Sequence, residues 1–225
     1  MERDRELARL LQSALQRRPM LVYGSPGLGK TRLLLELKQE LARRAAKVLY
    51  IPFAQPLHTF LIDMAARLSL RPTANSSIAL RGLLWKTLRS NPQIILLDDV
   101  SEATLPFYRF FERVLYAGGM ALIGSAIHPH MLGALHRVFW NQEALITLRA
   151  LSKQAAADLT EKASQLMMLN LPDIALFQEQ VVRVARGNPG RIIDMCSRAA
   201  DPAYRDGDRL RFAALSIDSF ASLVP

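Results

Sequence analysis

The chain has 225 residues, half of them hydrophobic by type and 22% charged, and 29 Lys and Arg against 20 Asp and Glu give a net charge of +9. This balance excludes a disordered chain and suits one folded domain, or one with a small appendage. With no apolar run near the roughly 20 residues that span a bilayer, no basic-then-apolar leader in Met1-Glu2-Arg3-Asp4, and one cysteine, Cys196, a soluble cytoplasmic protein without a membrane partner, disulfide or cysteine-based metal cluster is expected.

Leu7, Leu10, Leu11 and Leu15 recur at helical spacing within residues 2–17 and predict an amphipathic helix that Pro19 ends. Met20-Leu21-Val22-Tyr23, bounded by Pro and Gly, has the form of a buried strand. From Lys30 a second helix carries Leu33, Leu34, Leu37 and Leu41 on one face, and Val48-Leu49-Tyr50-Ile51 is a second strand. Helical patterns over 57–70 and 77–89 precede a third strand, Ile94-Ile95-Leu96-Leu97, which runs into Asp98-Asp99. A helix over 104–116 leads to a fourth strand, Ala121-Leu122-Ile123-Gly124, and Leu145-Ile146-Thr147-Leu148 fits a fifth. Strands alternating with helices predict an α/β fold with a parallel five-stranded sheet flanked by helices.

After Leu151 only helical periodicity is present, in 152–168 and 173–200, broken at Asn170-Leu171-Pro172 and at Gly187-Asn188-Pro189-Gly190. Residues 1–150 are therefore expected to form the α/β core, and 151–225 a small helical subdomain with a C-terminal extension. The alternation Arg209, Leu210, Arg211, Phe212 leaves strand and helix both open.

Gly24-Ser25-Pro26-Gly27-Leu28-Gly29-Lys30-Thr31 fits G-x-x-x-x-G-K-[ST] between a predicted strand and a predicted helix. The physical content is specific: glycines let the backbone wrap phosphate oxygens, a helix N-terminus offers unpaired N–H groups, Lys30 neutralises β/γ charge, and the Thr31 hydroxyl can ligate magnesium. ATP and Mg²⁺ are the expected ligands. Asp98 follows four large aliphatics, so it should emerge at the carboxyl end of the sheet as the magnesium partner, with Asp99 either beside it or capping the next helix.

These two motifs, with one strand and three helices between them, resemble the P-loop ATPases of the AAA+ and STAND group over nearly the whole chain. The resemblance makes the fold a P-loop NTPase and the helical subdomain a lid. It implies that the segment Arg5-Glu6-Leu7 with Leu10-Leu11 packs by the adenine, and that Ser125, just past the fourth strand, is sensor 1. It also makes Arg191, in Arg186-Gly187-Asn188-Pro189-Gly190-Arg191, the lid arginine that reaches the γ-phosphate, and Arg137 a finger toward a neighbour's nucleotide. Surface arginines are the ordinary alternative for both. The family usually follows the magnesium aspartate with glutamate; Asp99 is one methylene shorter, which leaves either slow hydrolysis or a base elsewhere.

Residues 1–50 hold eleven basic and five acidic side chains, which fits either nucleic acid or solvated helix faces. The resemblance to helicase loaders, origin initiators and transposition regulators implies an ATPase that acts as a nucleotide-dependent homo-oligomer on DNA or another nucleic acid. The Leu-Leu-Asp-Asp ending is more like STAND switches, which here would signal through a separate partner protein. His128, His130 and His136 lack the companions of a metal site, no stretch fits a G-x-S-x-G nucleophile elbow, and Trp85, Phe107, Tyr108, Phe110 and Phe111 suit a core or a subunit contact better than a base-stacking platform.

Overall fold

A computed structural model describes residues 3–72, 76–118, 121–207 and 209–221. The chain divides into two compact units, one comprising Arg3–Gly24 and Lys30–Leu148, the other Ser25–Gly29 and the chain from Arg149 onward.

The first unit is built on five parallel strands, β1 (Met20–Tyr23), β2 (Val48–Pro52), β3 (Ile94–Asp98), β4 (Ala121–Ala126) and β5 (Leu145–Thr147), in the order β2-β3-β4-β1-β5. These are short aliphatic runs, and β4 is buried along its whole length, as strands covered on both faces must be. The strand leading into the P-loop motif, β1, is separated from β3 by β4. Register sets Leu97 of β3 beside Gly124 of β4 and Val22 of β1 beside Ser125, so the carboxyl ends of the three strands share one edge.

Five helices cover this sheet: α1 (Asp4–Leu15), α2 (Lys30–Arg43), α3 (Leu57–Arg67), α4 (Ser77–Ser90) and α5 (Leu105–Gly118). α2 buries Leu33, Leu34, Leu37 and Leu41, the face that its 3.6-residue spacing predicts. α3 ends at Arg67, three residues short of the expected 70, because Ser69 turns left-handed at φ 55°. Phe60, Phe107 and Phe111 are fully buried. Phe107 lies 4.8 Å from the Phe53 ring and 5.5 Å from Phe60, and each buried aromatic contributes about 1.5–3 kcal/mol.

The second unit packs α6 (Lys153–Leu166), α7 (Ile174–Ala185) and α8 (Pro189–Ala200) around Ala163, Phe177, Val181, Ile192 and Met195. Ser152 accepts the Ala155 N–H at the start of α6, and Asn188 accepts the Arg191 N–H at the start of α8, where Pro189 takes the first helical position. Burial pushes the Cys196 thiol up to about 11, in keeping with a core residue. The stretch that alternation left open contains both forms: β6 (Arg205–Asp206) and β7 (Arg209–Leu210) make a two-residue antiparallel ribbon, and α9 (Phe212–Ala221) follows. Among the described residues no helix is long and apolar enough to cross a membrane.

Candidate functional site

At the carboxyl edge of the sheet, Asp98 is only 5% exposed. A carboxylate so placed is costly unless its oxygens are bonded, and here both are. Ser125 donates its hydroxyl to Oδ1 at 2.5 Å, and Tyr50 of β2 donates its phenol to Oδ2 at 2.7 Å. Burial first, then the bond and charge of Asp98, push the Tyr50 phenol far above its ordinary range, so it is a protonated donor at neutral pH. The Ser125 oxygen also accepts the Asp99 N–H at 2.8 Å. Ser125 is fully buried, and its hydroxyl is thus committed to the acidic pair. Tyr50 is the residue that motif reasoning missed; the signal was a polar-tipped aromatic in an aliphatic strand.

Asp99 behaves differently from its neighbour. Its φ of 57° takes it out of the strand line, and its side chain is exposed. Asp tolerates this left-handed backbone better than most residues. Because α5 begins only at Leu105, Asp99 does not cap that helix.

Beside this pair, the Gly24 N–H donates to the carbonyls of Ala126 and Ile127, which ties the start of the motif to the end of β4. Lys30, 9% exposed in the first turn of α2, donates from Nζ to the Gly24 carbonyl at 2.7 Å. Burial lowers the Lys30 pKa, and the charges of Asp99 and then Asp98 act against that lowering, so the ammonium stands in the field of both carboxylates. Thr31 is exposed in the same turn. Among the described residues no three His, Cys, Asp or Glu side chains gather as a metal cage. One carboxylate and one hydroxyl, both hard oxygen donors, nonetheless fit magnesium, which takes few protein ligands and completes its shell with water and phosphate oxygens.

The middle of the motif belongs to the second unit. Gly27 and Gly29 have φ of 80° and 89°, where a side chain would be strained. A Cβ on Gly27 would stand 2.5 Å from the Asn188 oxygen, and one on Gly190 would stand 2.7 Å from the Gly27 Cα. This close approach lets the Gly190 N–H donate to the Gly27 carbonyl at 2.8 Å and the Asn188 amide donate to the Pro26 carbonyl at 2.9 Å. Arg191, one residue on, rests its guanidinium over the Phe220 ring at 4.2 Å, and its buried Nε has no hydrogen-bond partner among the described residues.

A family model described as AAA domain matches residues 13–125, half of the chain, a span that holds the motif, Asp98, Asp99 and Ser125. The chain belongs to the AAA domain family. The AAA fold is also seen in Cdc6p from Pyrobaculum aerophilum, with a TM-score of 0.69 at 18% identity over 88% of this chain and 61% of that one. It is seen in Drosophila ORC bound to DNA, at 0.63 and 15% identity over 99% and 61%. Domain III of the Thermotoga maritima replication initiation protein DnaA matches at 0.61 and 20% identity over 99% and 93%. The chain thus spans 61% of the Cdc6p chain. No curated protein sequence matches it.

Further residues singled out by the sequence lie elsewhere in this AAA domain. Arg5 is exposed on α1. Arg137 is exposed in a short 3-10 turn, Ala134–Arg137, with its guanidinium 5.4 Å from the Tyr108 ring, while Tyr108 donates to Glu112 at 2.5 Å. His128 stacks on His130 at 4.7 Å. Phe107, Phe110 and Phe111 are buried, and Trp85 is half-buried with Arg113 and Arg89 at 4.4 and 5.4 Å from its ring. Two basic residues of the first fifty positions, Arg17 and Lys47, line a crevice of 370 Å³ at the opposite, amino edge of the sheet. There Arg43 and Arg44 both pair with Glu40, and Lys47 donates to Asn91 at 2.5 Å.

Proposed function

We propose that this AAA domain binds ATP with magnesium on Gly24–Thr31, hydrolyses it slowly, and uses the nucleotide state to assemble and to act on nucleic acid as a loader or remodeller. The observation that carries the nucleotide reading is the meeting, at one sheet edge, of Lys30 with two carboxylates of different exposure, Asp98 held and buried, Asp99 free of the strand and in solvent. Asp98 and the Thr31 hydroxyl hold the cation. Magnesium, when bound, neutralises charge on the phosphoryl oxygens. Lys30 presents its ammonium to the β/γ oxygens, and Asp99 orients the attacking water and accepts its proton. The shorter reach of aspartate accounts for slow turnover.

In this reading residues 1–150 are the catalytic core and 151–225 the lid, with Arg191 the lid's phosphate-directed cation and the segment at Arg5 beside the adenine. Arg137 serves a neighbouring copy, and light scattering that shows only monomer with an ATP analogue at high concentration removes that role. For the nucleic-acid target, the support is the basic crevice at Arg17 and Lys47 together with a net charge of +9. The ending Leu96-Leu97-Asp98-Asp99 favours a second reading, a nucleotide switch that signals through a separate partner protein.

Two titrations test the proposal. Calorimetry with ATP and magnesium should show Lys30→Ala binding at least tenfold more weakly, since a charge-assisted contact is worth about 1.5–3 kcal/mol; equal affinity overturns the nucleotide site. DNA binding, measured with and without ATP across a salt series, should strengthen with ATP and fall steeply with salt. Absence of duplex and single-strand binding even at low ionic strength moves the assignment to the switch.

A further inference from the structure

Tyr50 and Asp98 are brought together by strand register. Tyr50 of β2 pairs with Leu96 of β3, and Pro52 pairs with Asp98, so Tyr50 and Asp98 stand at the same parity, two residues apart along adjacent parallel strands. Parity fixes the face, since alternate side chains of a strand share one side of the sheet. The phenol then spans the offset and meets Oδ2 at 2.7 Å, while Ser125 takes Oδ1. A single donor would leave the carboxyl plane free to turn about one bond; two donors, one to each oxygen, fix its orientation.

Tyr50 is itself anchored. Arg67 of α3 donates to the Tyr50 carbonyl at 3.2 Å, and the Lys38 ammonium of α2 lies 5.8 Å from the ring centroid. The neighbouring positions of β2 are Leu49 and Ile51, both buried aliphatics, so the hydroxyl is the one polar tip that this stretch sends to the carboxyl edge. Packing alone asks only for a ring. The oxygen has a different use, since a carboxylate that takes a hard cation must stay ionised and must present a fixed lone pair, and donors to the carboxylate serve both ends.

We propose that Tyr50 is a positioning residue for magnesium, acting through Asp98. The proposal rests on the reading of Asp98 as a magnesium-holding carboxylate. Loss of a hydrogen-bond partner behind a metal-holding group costs roughly 10–100-fold in metal affinity. Tyr50→Phe keeps the ring and removes one oxygen, so the fold has no cavity to absorb.

The experiment titrates a fluorescent ATP analogue into the full chain at a series of magnesium concentrations and in EDTA, with Mn²⁺ binding followed by paramagnetic resonance. Tyr50→Phe should shift the magnesium midpoint about tenfold upward and weaken Mn²⁺ binding, while nucleotide affinity in EDTA and the thermal midpoint stay at wild-type values. A merely structural role would lower the EDTA affinity and the thermal midpoint as well, and that result overturns the proposal. Asp98→Asn should shift the magnesium midpoint at least as far, and adding Tyr50→Phe to it should shift it no further. Independent, additive shifts overturn the positioning role. If Asp98→Asn moves the midpoint and Tyr50→Phe does not, Tyr50 is excluded while Asp98 stands; if Asp98→Asn leaves it unmoved, the reading of Asp98 fails and this proposal with it.

Discussion

At the carboxyl edge of the sheet, Asp98 accepts hydroxyl bonds on both oxygens, Ser125 serves two partners, and Lys30 is drawn onto the Gly24 carbonyl. At the amino edge of the same strands, Arg17 and Lys47 line an open crevice and the exposed Arg43 and Arg44 share one half-buried glutamate, Glu40. Charges of the first kind are desolvated and held in place, which makes each missing bond expensive. Those of the second kind are screened by water and salt, and such exposed pairs contribute only about 0–1 kcal/mol each. One edge holds its charges buried and fixed; the other carries them at the surface, where the proposed function would have them meet phosphate.

The largest way to disturb that contrast is to remove what supports the organised edge. Phe107 is fully buried and packs on Phe53, whose backbone N–H donates to the Asp98 carbonyl at 2.7 Å. Phe107→Ala should cost about 3–5 kcal/mol of stability in a urea titration. It should also weaken nucleotide binding in the fraction that remains folded, whereas a loss of stability with untouched nucleotide affinity would show the two to be independent.

A smaller effect isolates the exposed carboxylate. Asp99→Asn should lower single-turnover ATP hydrolysis by about 10²-fold, the usual contribution of a general base, and leave ATP affinity within a few fold. Asp99→Glu, restoring the missing methylene, should raise turnover. Hydrolysis at the wild-type rate in Asp99→Asn would leave Asp99 a backbone turn residue and place the base elsewhere.

The smallest effect belongs to the amino edge. Replacing Arg17 and Lys47 by alanine should leave ATP affinity unchanged and flatten the slope of log affinity against log salt for DNA by about 2, near 0.9 for each phosphate no longer neutralised. An unchanged slope would remove this crevice from the nucleic-acid surface.

The sequence made the organised edge legible only where one residue type at one spacing carries the physics. Gly27, Gly29 and Lys30 sit in a motif whose backbone demands are local, and Asp98 follows four aliphatics, so both were visible without the fold. Ser125 was visible as a polar residue just past a strand, but its two bonds depend on the register of β3 with β4. Tyr50 was not singled out, because its partner lies 48 residues away and the contact exists only once β2 is laid beside β3. Asp99 was also open to a reading as the cap of the next helix; its left-handed turn, with its N–H on the Ser125 oxygen, is a long-range outcome that local spacing does not display. At the chain's end, β7 is two residues long, too short for any period to declare itself before α9 begins.

Two struts, from Gly190 to the Gly27 carbonyl and from Asn188 to the Pro26 carbonyl, make residues 25–29 and the first turn of α8 a single lever. A change that moves the Pro26 and Gly27 carbonyls must either carry the first turn along or break these bonds, at about 0.5–1.5 kcal/mol each. α8 has twelve residues and is therefore ~18 Å long, so a tilt of about 5° at its start displaces its far end by roughly 1.6 Å. That far end carries Ala199, whose carbonyl receives the Arg205 guanidinium, and the near end carries Arg191 on the Phe220 ring of α9. If the loop changes shape with these bonds intact, the rod would carry the change to the C-terminal ribbon and helix, and amide hydrogen exchange of residues 199–221 would register it.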